Sequence, residues 1–209
     1  AERGQDAIAV GRDGRLSGPE LAAALMEGIR QAGIDTIDIG CVPTPVAYFA
    51  AHELACNSCV AVTGSHNPPD YNGLKMVVGG ETLAGETIQS IRRRVDAGDL
   101  RHGTGQASSA DVLPAYLARI VAAGFDGIYV DRIDAYWDLR ERYPTGRAQM
   151  LTFMQELAET ARRLKPEFLI IAQNAEDLLS EAAYRKRIDA IAKEDLLHGV
   201  KGTGTRNEQ

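Results

Sequence analysis

A polar loop at residues 63–75, with the sequence TGSHNPPDYNGLK, contains side chains that could carry out group transfer. Ser65 offers a hydroxyl on a turn directly after an apolar run, and His66 and Lys75 offer groups for proton transfer or positive charge. Ligands of open α/β sheets bind beyond the carboxyl ends of strands, so this position suits chemistry. An ordinary turn has the same composition, and composition alone leaves that alternative open.

Three later segments each place carboxylates after a short apolar run, at residues 124–136, 168–177 and 188–195. Carboxylates at the carboxyl ends of parallel strands fit the catalytic face of a (β/α)8 barrel, and paired carboxylates carry out glycoside hydrolysis. Each acidic residue could instead cap the helix that follows it. That alternative is at least as good for Asp177, whereas Asp131 and Asp134 are better candidates for function.

The cysteines predict no metal or disulfide framework. There are three, Cys41, Cys56 and Cys59, and an odd number favours a reducing compartment. Cys56 and Cys59 have the C-x-x-C spacing, but no second cysteine pair or histidine pair completes a zinc site. We expect all three to pack as small apolar side chains.

The composition is that of a globular protein. Of the 209 residues, 44% are hydrophobic and 25% are charged, with a net charge of -6. The negative charge argues against a nucleic-acid partner, and no apolar run approaches the roughly 18 residues of a membrane span. The sequence has no pattern of a signal peptide and does not begin with methionine, so we expect a trimmed chain.

Short apolar runs alternate with helical patterns along the chain, which predicts an α/β fold with a mainly parallel sheet and helices on both faces. Ser17 and Glu20 have the spacing of a capping box. The predicted strands are residues 7–10, 36–39, 59–62, 74–78, 127–130, 168–172 and 188–192. The predicted helices are residues 17–32, 46–54, 86–97, 111–123, 147–164 and 176–187. Residues 98–109 are predicted to be a loop, and residues 200–209 a disordered tail.

The loop at 63–75 resembles the active-site loop of the α-D-phosphohexomutases, especially the bacterial phosphomannomutase/phosphoglucomutase type. The resemblance covers about residues 7–120 and includes VGRDGRLSGPE at 10–20, VPTPV at 42–46 and GGETL at 79–83. It implies a cytoplasmic enzyme with a sugar phosphate as substrate.

By this resemblance Ser65 carries the phosphoryl group, and His66 and Lys75 transfer protons and contact phosphate. Arg12, Arg15 and Asn67 are the candidate substrate-binding residues. A solvated loop charge is an equal alternative for the two arginines.

This sequence departs from the family after its first domain. The D-x-D-x-D-R metal loop of the second domain occurs nowhere in residues 1–209, and neither do the sugar-reading and phosphate-binding domains. We also expect that a strand and a helix that normally begin the first domain are missing. We therefore expect no cofactor, and Mg²⁺ only if mutase chemistry survives, with the Ser65 phosphoryl group as the one mutase-side ligand.

Residues 121–199 resemble part of the barrel of glycosidases related to endo-α-1,4-polygalactosaminidase, on the stretches GFDGIYVDRID, QNAE and KED. This resemblance implies that a sugar site is lined by Asp131, Asp134, Glu176 and Glu194. About three of the eight strands of a barrel are present, which is too few to close one.

Two unrelated fragments that meet near Ile120, without a linker, suggest an artificial chimera. We predict segments 1–120 and 121–199 that share one core, with their strands paired in one sheet or exchanged in a homodimer. The favoured function is a folded protein without evolved catalysis. The alternatives are residual phosphoryl transfer or sugar-phosphate binding at Ser65, and weak glycan binding or hydrolysis at Asp131 and Asp134.

Overall fold

The structure, a computed structural model, describes residues 4–68, 70–138, 140–141, 144–194, 198–199 and 202–206. The chain divides into two compact units, Ala1–Tyr116 and Leu117–Gln209. The division falls within the same helix as the predicted junction near Ile120. Each unit has its own sheets and hydrophobic clusters.

The first unit is built on a six-stranded sheet with the order β5-β4-β3-β1-β2-β6. The strands β3, β1, β2 and β6 are parallel, β4 pairs antiparallel with β3, and β5 pairs antiparallel with β4 at the edge of the sheet. The strands are β1 (Ala7–Arg12), β2 (Asp35–Cys41), β3 (Cys59–Val62), β4 (Leu74–Val78), β5 (Glu81–Thr82) and β6 (Ala107–Ser109). The helices are α1 (Gly18–Gln31), α2 (Thr44–Glu53), α3 (Glu86–Asp96) and α4 (Leu113–Ala122), the last of which spans the division between the units.

Helices cover both faces of this sheet, as the alternation along its central strands requires. Ala9 of β1 packs in a cluster with α2, whereas the next residue, Val10, packs in a cluster with α1. Residues of β3 divide between the same two clusters, so both faces of the central strands are buried. The predicted α/β class with a mainly parallel sheet is confirmed.

The second unit contains a parallel three-stranded sheet of β7 (Gly127–Val130), β8 (Leu169–Gln173) and β9 (Ala190–Ala192), with β8 in the centre. The helix α6 (Gly146–Leu164) packs on it through the fully buried Met154, Ala158 and Ala161. Shorter helices, α5 (Ala135–Asp138), a 3₁₀ helix (Glu176–Ser180) and α7 (Ala182–Arg185), follow β7 and β8. Ile170, Leu178 and Tyr184 complete the core of this unit.

Several sequence expectations differ from the described structure. The loop predicted at 98–109 contains β6, and the helix predicted at 176–187 is two short helices, because Glu181 between them has extended backbone with φ -84° and ψ 115°. Within the predicted tail at 200–209 lies β11 (Gly202–Arg206). It pairs with β10 (His198–Gly199), just before the tail, since antiparallel pairing satisfies backbone groups of both strands.

The pairing of both sets of strands in one sheet is also not found. Every described sheet takes its strands from one unit. The strands of each unit form hydrogen bonds with strands of the same unit. Their backbone groups are therefore satisfied without a sheet that joins the two units. A shared core and a strand-exchanged homodimer stay predictions.

Candidate functional site

Ser65 sits at the carboxyl end of β3 on a turn with left-handed backbone. Its φ is 53°, a conformation that costs a residue with a side chain about 1–2 kcal/mol. The Ser65 N–H donates to Thr63 Oγ1 at 3.0 Å, and this hydrogen bond stabilises the turn. The Ser65 side chain is exposed, so its hydroxyl is open to a ligand.

The two predicted partners of this hydroxyl lie close to it. His66 Nδ1 is 3.3 Å from Ser65 Oγ, and Lys75 Nζ is 3.5 Å from the same oxygen. Lys75 reaches the site because β4 runs back along β3, with Lys75 opposite Ala61 in the register. The sequence prediction placed these three residues at one site, and the structure brings them together.

The Arg15 guanidinium group binds the backbone carbonyls of the loop. Its Nη1 donates to the carbonyls of Pro68 and Tyr71, the latter at 3.0 Å. Its Nη2 donates to the carbonyls of Ser65 at 3.0 Å and Asn67 at 2.8 Å. Only 13% of the Arg15 side chain is exposed, so the guanidinium group is enclosed by the loop that it binds.

Asp13 fixes both Arg15 and the start of the loop. Its Oδ2 accepts from Arg15 Nε at 3.1 Å and from the Gly64 N–H at 3.3 Å, and its Oδ1 accepts from the Arg15 N–H at 3.0 Å. Gly64 allows this arrangement because it has no side chain. A Cβ at Gly64 would lie 2.3 Å from Arg15 Cζ, far inside van der Waals contact.

The other two predicted substrate-binding residues have different surroundings. Arg12, on β1, has Nη1 3.8 Å from Asp38 Oδ1, which is longer than a hydrogen bond. Asp38 uses the same oxygen to accept from the Gly40 N–H at 2.8 Å. Asn67 donates from Nδ2 to the Gly64 carbonyl at 2.9 Å, so its side chain closes the loop.

Ser17 does not act as the predicted helix cap. It precedes α1 but makes no capping hydrogen bond with its side chain. Ser17 Oγ instead accepts from Asn72 Nδ2 at 3.0 Å, while Asn72 Oδ1 accepts from the Gly73 N–H at 2.9 Å. Asn72 therefore connects the end of the Ser65 loop to the start of α1. Its residue type, which is common in turns, does not predict this role.

In the described ranges no group of three or more His, Cys, Asp or Glu residues could hold a metal ion. The acidic residue beneath the loop, Asp13, already accepts three hydrogen bonds. The residues present in the first unit therefore do not by themselves fit the Mg²⁺ that the mutase resemblance implies.

The predicted carboxylates of the second unit follow the three parallel strands. Asp131 is exposed at the end of β7. Asp134 Oδ2 accepts from Asn174 Nδ2 at 3.3 Å, and its Oδ1 is buried without a hydrogen-bond partner among the described residues. Arg132 Nε lies 4.0 Å from that oxygen.

Glu176 and Glu194 reach this edge by different contacts. Glu176 forms an ion pair with Lys193 at 2.6 Å. The hydrogen bond from Lys193 lowers the pKa of Glu176 below its ordinary value. Glu194 is held by its backbone, whose N–H donates to Asn174 Oδ1 at 3.0 Å.

Two buried amides join these strand ends, and the sequence reasoning gave them no role. Gln173 Oε1 accepts from the Arg132 N–H at 2.9 Å, which connects β8 to the turn after β7. Asn174 connects the turn after β8 to Asp134 and Glu194. Arg132 and Asn174 both have left-handed backbone, with φ of 58° and 59°. Their burial distinguishes them from ordinary turn residues, and the sequence alone does not show it.

Asp177, for which a capping role was the alternative, lies in the first turn of the 3₁₀ helix. Its carboxylate accepts from the Tyr136 hydroxyl and from Arg147 Nε at 3.4 Å. Burial, with the bond to Asp177 as a second cause, raises the pKa of Tyr136 well above its ordinary value. These contacts anchor α5 to the 3₁₀ helix.

The three cysteines are free thiols. Cys56 is half-buried and Cys59 is fully buried on β3, but Cys41 is exposed, so the expectation that all three pack as small apolar side chains is wrong for Cys41. Burial raises the pKa of the Cys59 thiol to about 11. Across the described part of the chain, no helix is long and apolar enough to span a membrane.

Comparison with known proteins separates the same two halves. Residues 1–102 match the family described as phosphoglucomutase/phosphomannomutase, alpha/beta/alpha domain I. Residues 99–201 match glycoside-hydrolase family GH114. The chain therefore joins a phosphohexomutase-like domain to a GH114-like segment, and both sequence resemblances are confirmed.

Curated relatives match the first half. A phosphomannomutase/phosphoglucomutase of Pseudomonas aeruginosa is 54% identical over 118 residues, which are 56% of this chain and 26% of that protein. A phosphoglucomutase of Neisseria gonorrhoeae is 48% identical over 126 residues, which are 58% of this chain and 27% of that protein. The chain thus spans about a quarter of the length of these relatives.

A solved structure of a phosphoglucomutase/phosphomannomutase family protein from Burkholderia thailandensis is similar with a TM-score of 0.61 and 36% identity. The similarity covers 82% of this chain and 36% of that protein. Neither half of this chain alone makes up that share, so the alignment includes residues of both units.

Proposed function

We propose that the first unit accepts a phosphoryl group on Ser65 from a hexose phosphate. One observation carries the proposal: the exposed Ser65 hydroxyl lies 3.3 Å from His66 Nδ1 and 3.5 Å from Lys75 Nζ, on a turn held by Arg15. A fixed hydroxyl beside a proton acceptor and a cation is the arrangement that in-line attack on a phosphoryl group needs. The mutase relatives of this half support the same chemistry.

The step transfers one phosphoryl group and one proton. Ser65 Oγ forms a bond to phosphorus as the bond between phosphorus and the sugar oxygen breaks. The hydroxyl proton passes to His66 Nδ1 and is returned through solvent to the leaving sugar oxygen, so the sugar leaves as an alcohol and no net proton is gained or lost. Lys75 and Arg12 then offer positive charge to the three phosphoryl oxygens. No step in this scheme uses a metal ion.

We propose further that the chain, as a join of two enzyme fragments, does not sustain a complete mutase cycle. Residues that follow the first unit match a different enzyme family, and the D-x-D-x-D-R pattern is absent from residues 1–209. A hexose phosphate then has few groups to hold and turn it between two half reactions. Whether the join is artificial is tested by sequencing genomic DNA for the same junction, since a native reading frame across it would refute an artificial origin.

Phosphoserine formation is tested directly with hexose 1,6-bisphosphate as the donor, with and without Mg²⁺. Intact mass and peptide mapping should show one phosphoryl group on Ser65 in the wild type and none in Ser65→Ala. Ser90→Ala is the matched control, because Ser90 is an exposed serine on α3 outside the loop, and it should be labelled like the wild type. Absence of label on Ser65 under every condition would refute the proposal.

A second candidate function is glycan binding at the strand ends of the second unit. The exposed Asp131 and the partly exposed side chain of Asp134, which both follow β7, favour it, because a carboxylate gains free energy from a hydrogen-bond donor. A sugar hydroxyl or ammonium group can supply that donor. Binding to an aminosugar polymer should be weakened in Asp134→Asn and in Asp131→Ala, and unchanged binding in both variants would reject this site.

A further inference from the structure

We infer that Arg15 is a positioning residue for Ser65 and does not bind the phosphoryl donor. This inference rests on the proposed function, because it concerns how the phosphoryl-accepting loop is held. It differs from the role of a substrate-binding arginine, which the sequence alone predicts equally well for Arg12 and Arg15.

The hydrogen-bond donors of the Arg15 guanidinium group are all used within the protein. A guanidinium group has five N–H donors in a planar fork. In Arg15 the Nε donor goes to Asp13, both Nη1 donors go to Pro68 and Tyr71, and both Nη2 donors go to Ser65 and Asn67. Every donor is used within the protein, so an incoming phosphate finds none on Arg15.

The hydrogen bonds from Arg15 also stabilise the left-handed backbone conformation of Ser65. Ser65 has φ of 53°, which a serine adopts only when its surroundings compensate for the strain. Arg15 binds the carbonyls of Ser65 itself and of Asn67, on either side of His66. The four carbonyls that converge on one buried cation fix the course of the loop from Ser65 to Tyr71.

The Arg15 guanidinium group is closely packed against Gly64. Gly64, directly before Ser65, lies so close that a Cβ there would be 2.3 Å from Arg15 Cζ. The Gly64 N–H also donates to Asp13, the carboxylate that orients Arg15. Asp13, Gly64 and Arg15 thus form one packed support beneath the nucleophile, with no room for a ligand between them.

Arg12 provides the contrast. It is the last residue of β1, and its ion pair with Asp38 is 3.8 Å long, while the same Asp38 oxygen already accepts from the Gly40 N–H. Arg12 can therefore turn toward a phosphate at little cost. The structure assigns donor binding to Arg12 and loop positioning to Arg15.

The two roles separate in the kinetics of Ser65 phosphorylation by hexose 1,6-bisphosphate. Arg15→Lys keeps the charge but cannot reach the converging acceptors, so the maximal rate should fall at least about tenfold, with the half-saturating donor concentration within about twofold of wild type. Arg12→Met should raise the half-saturating concentration several-fold. Arg92→Lys, which changes an exposed arginine of α3, is the matched control and should change neither value.

An Arg15→Lys variant that keeps the maximal rate but needs much more donor would overturn the inference, as would one that matches wild type in both values. Hydrogen exchange of the loop amides, without donor, tests the support independently of phosphorylation. Exchange at residues 64–73 should rise in Arg15→Lys and stay unchanged in Arg92→Lys. If wild type is not phosphorylated, the proposed function fails, while unchanged exchange in Arg15→Lys refutes the positioning role itself.

Discussion

Lys75 Nζ lies 3.5 Å from Ser65 Oγ, although the two residues are ten positions apart in the chain. The antiparallel return of β4 along β3 brings them together. Because the ammonium group is this close to Ser65 Oγ, the charged oxygens of a phosphoryl group on Ser65 would lie within its reach.

We therefore predict that Lys75→Met slows phosphorylation of Ser65 about tenfold or more, because the ammonium charge that stabilises the transferring group is lost. Lys75→Arg keeps a cation and should recover a large part of the rate. The rate of label uptake from hexose 1,6-bisphosphate measures both. Equal rates for Lys75→Met and wild type would show that Lys75 has no part in the transfer.

Gly64→Ala should destabilise the first unit by about 1–3 kcal/mol, because its Cβ would lie 2.3 Å from Arg15 Cζ. Gly14→Ala, in the loop after β1, is the matched control, since a Cβ there meets no atom within 4 Å. Urea denaturation of the two variants measures the difference in free energy of unfolding. Equal stability would mean that Arg15 moves aside at no cost, contrary to the packed support beneath Ser65.

Cys59 should resist alkylation by iodoacetamide in the folded protein, because its thiol is fully buried and burial raises its pKa to about 11. Cys41 is exposed and should react first. The neutral thiol of Cys59 stabilises the fold up to the ordinary pKa of 9.0, and this contribution is lost as pH rises toward about 11. Peptide mapping after timed alkylation measures the order, and early labelling of Cys59 would contradict its burial.

Glu176 should titrate below its ordinary pKa of 4.5, because Lys193 donates a hydrogen bond to its carboxylate. A lowered folded pKa means that the pair stabilises the fold above pH 4.5 and that this contribution disappears as pH falls through the folded value. The pair is partly exposed, so the contribution is well under about 1 kcal/mol. Carboxyl NMR titration should show the pKa of Glu176 rising in Lys193→Ala, and an unchanged pKa would remove Lys193 as its cause.

The sequence predicts those strands that are apolar runs. The bounds of β3, β4 and β7 agree with the predictions because each strand is an apolar run, although only β3 is fully buried and the residues of β4 and β7 are half-buried or exposed. The strand β6 has the sequence ASS and no buried residue, so it lacks an apolar signal. It forms through backbone pairing with β2, which only the folded sheet supplies.

Sequence reasoning also reaches the reactive groups of the site but not their support. Ser65, His66 and Lys75 are recognisable because their types and order suggest chemistry. Arg15 looked no different from Arg12, since the distinction depends on carbonyl groups that converge only after the loop folds. Gln173 and Asn174 resemble turn residues in the sequence, and their function as links between strand ends depends on burial.

The most direct test of the account follows phosphoryl label from hexose 1,6-bisphosphate onto Ser65 and, in a coupled assay in the same sample, follows conversion of glucose 1-phosphate to glucose 6-phosphate. The account predicts label on Ser65 of the wild type, none in Ser65→Ala, and no sustained isomerisation above that variant. Absence of label on Ser65 would contradict the proposed phosphoryl acceptance. Sustained isomerisation that requires Ser65 would contradict the proposal that the joined fragments lack a complete cycle.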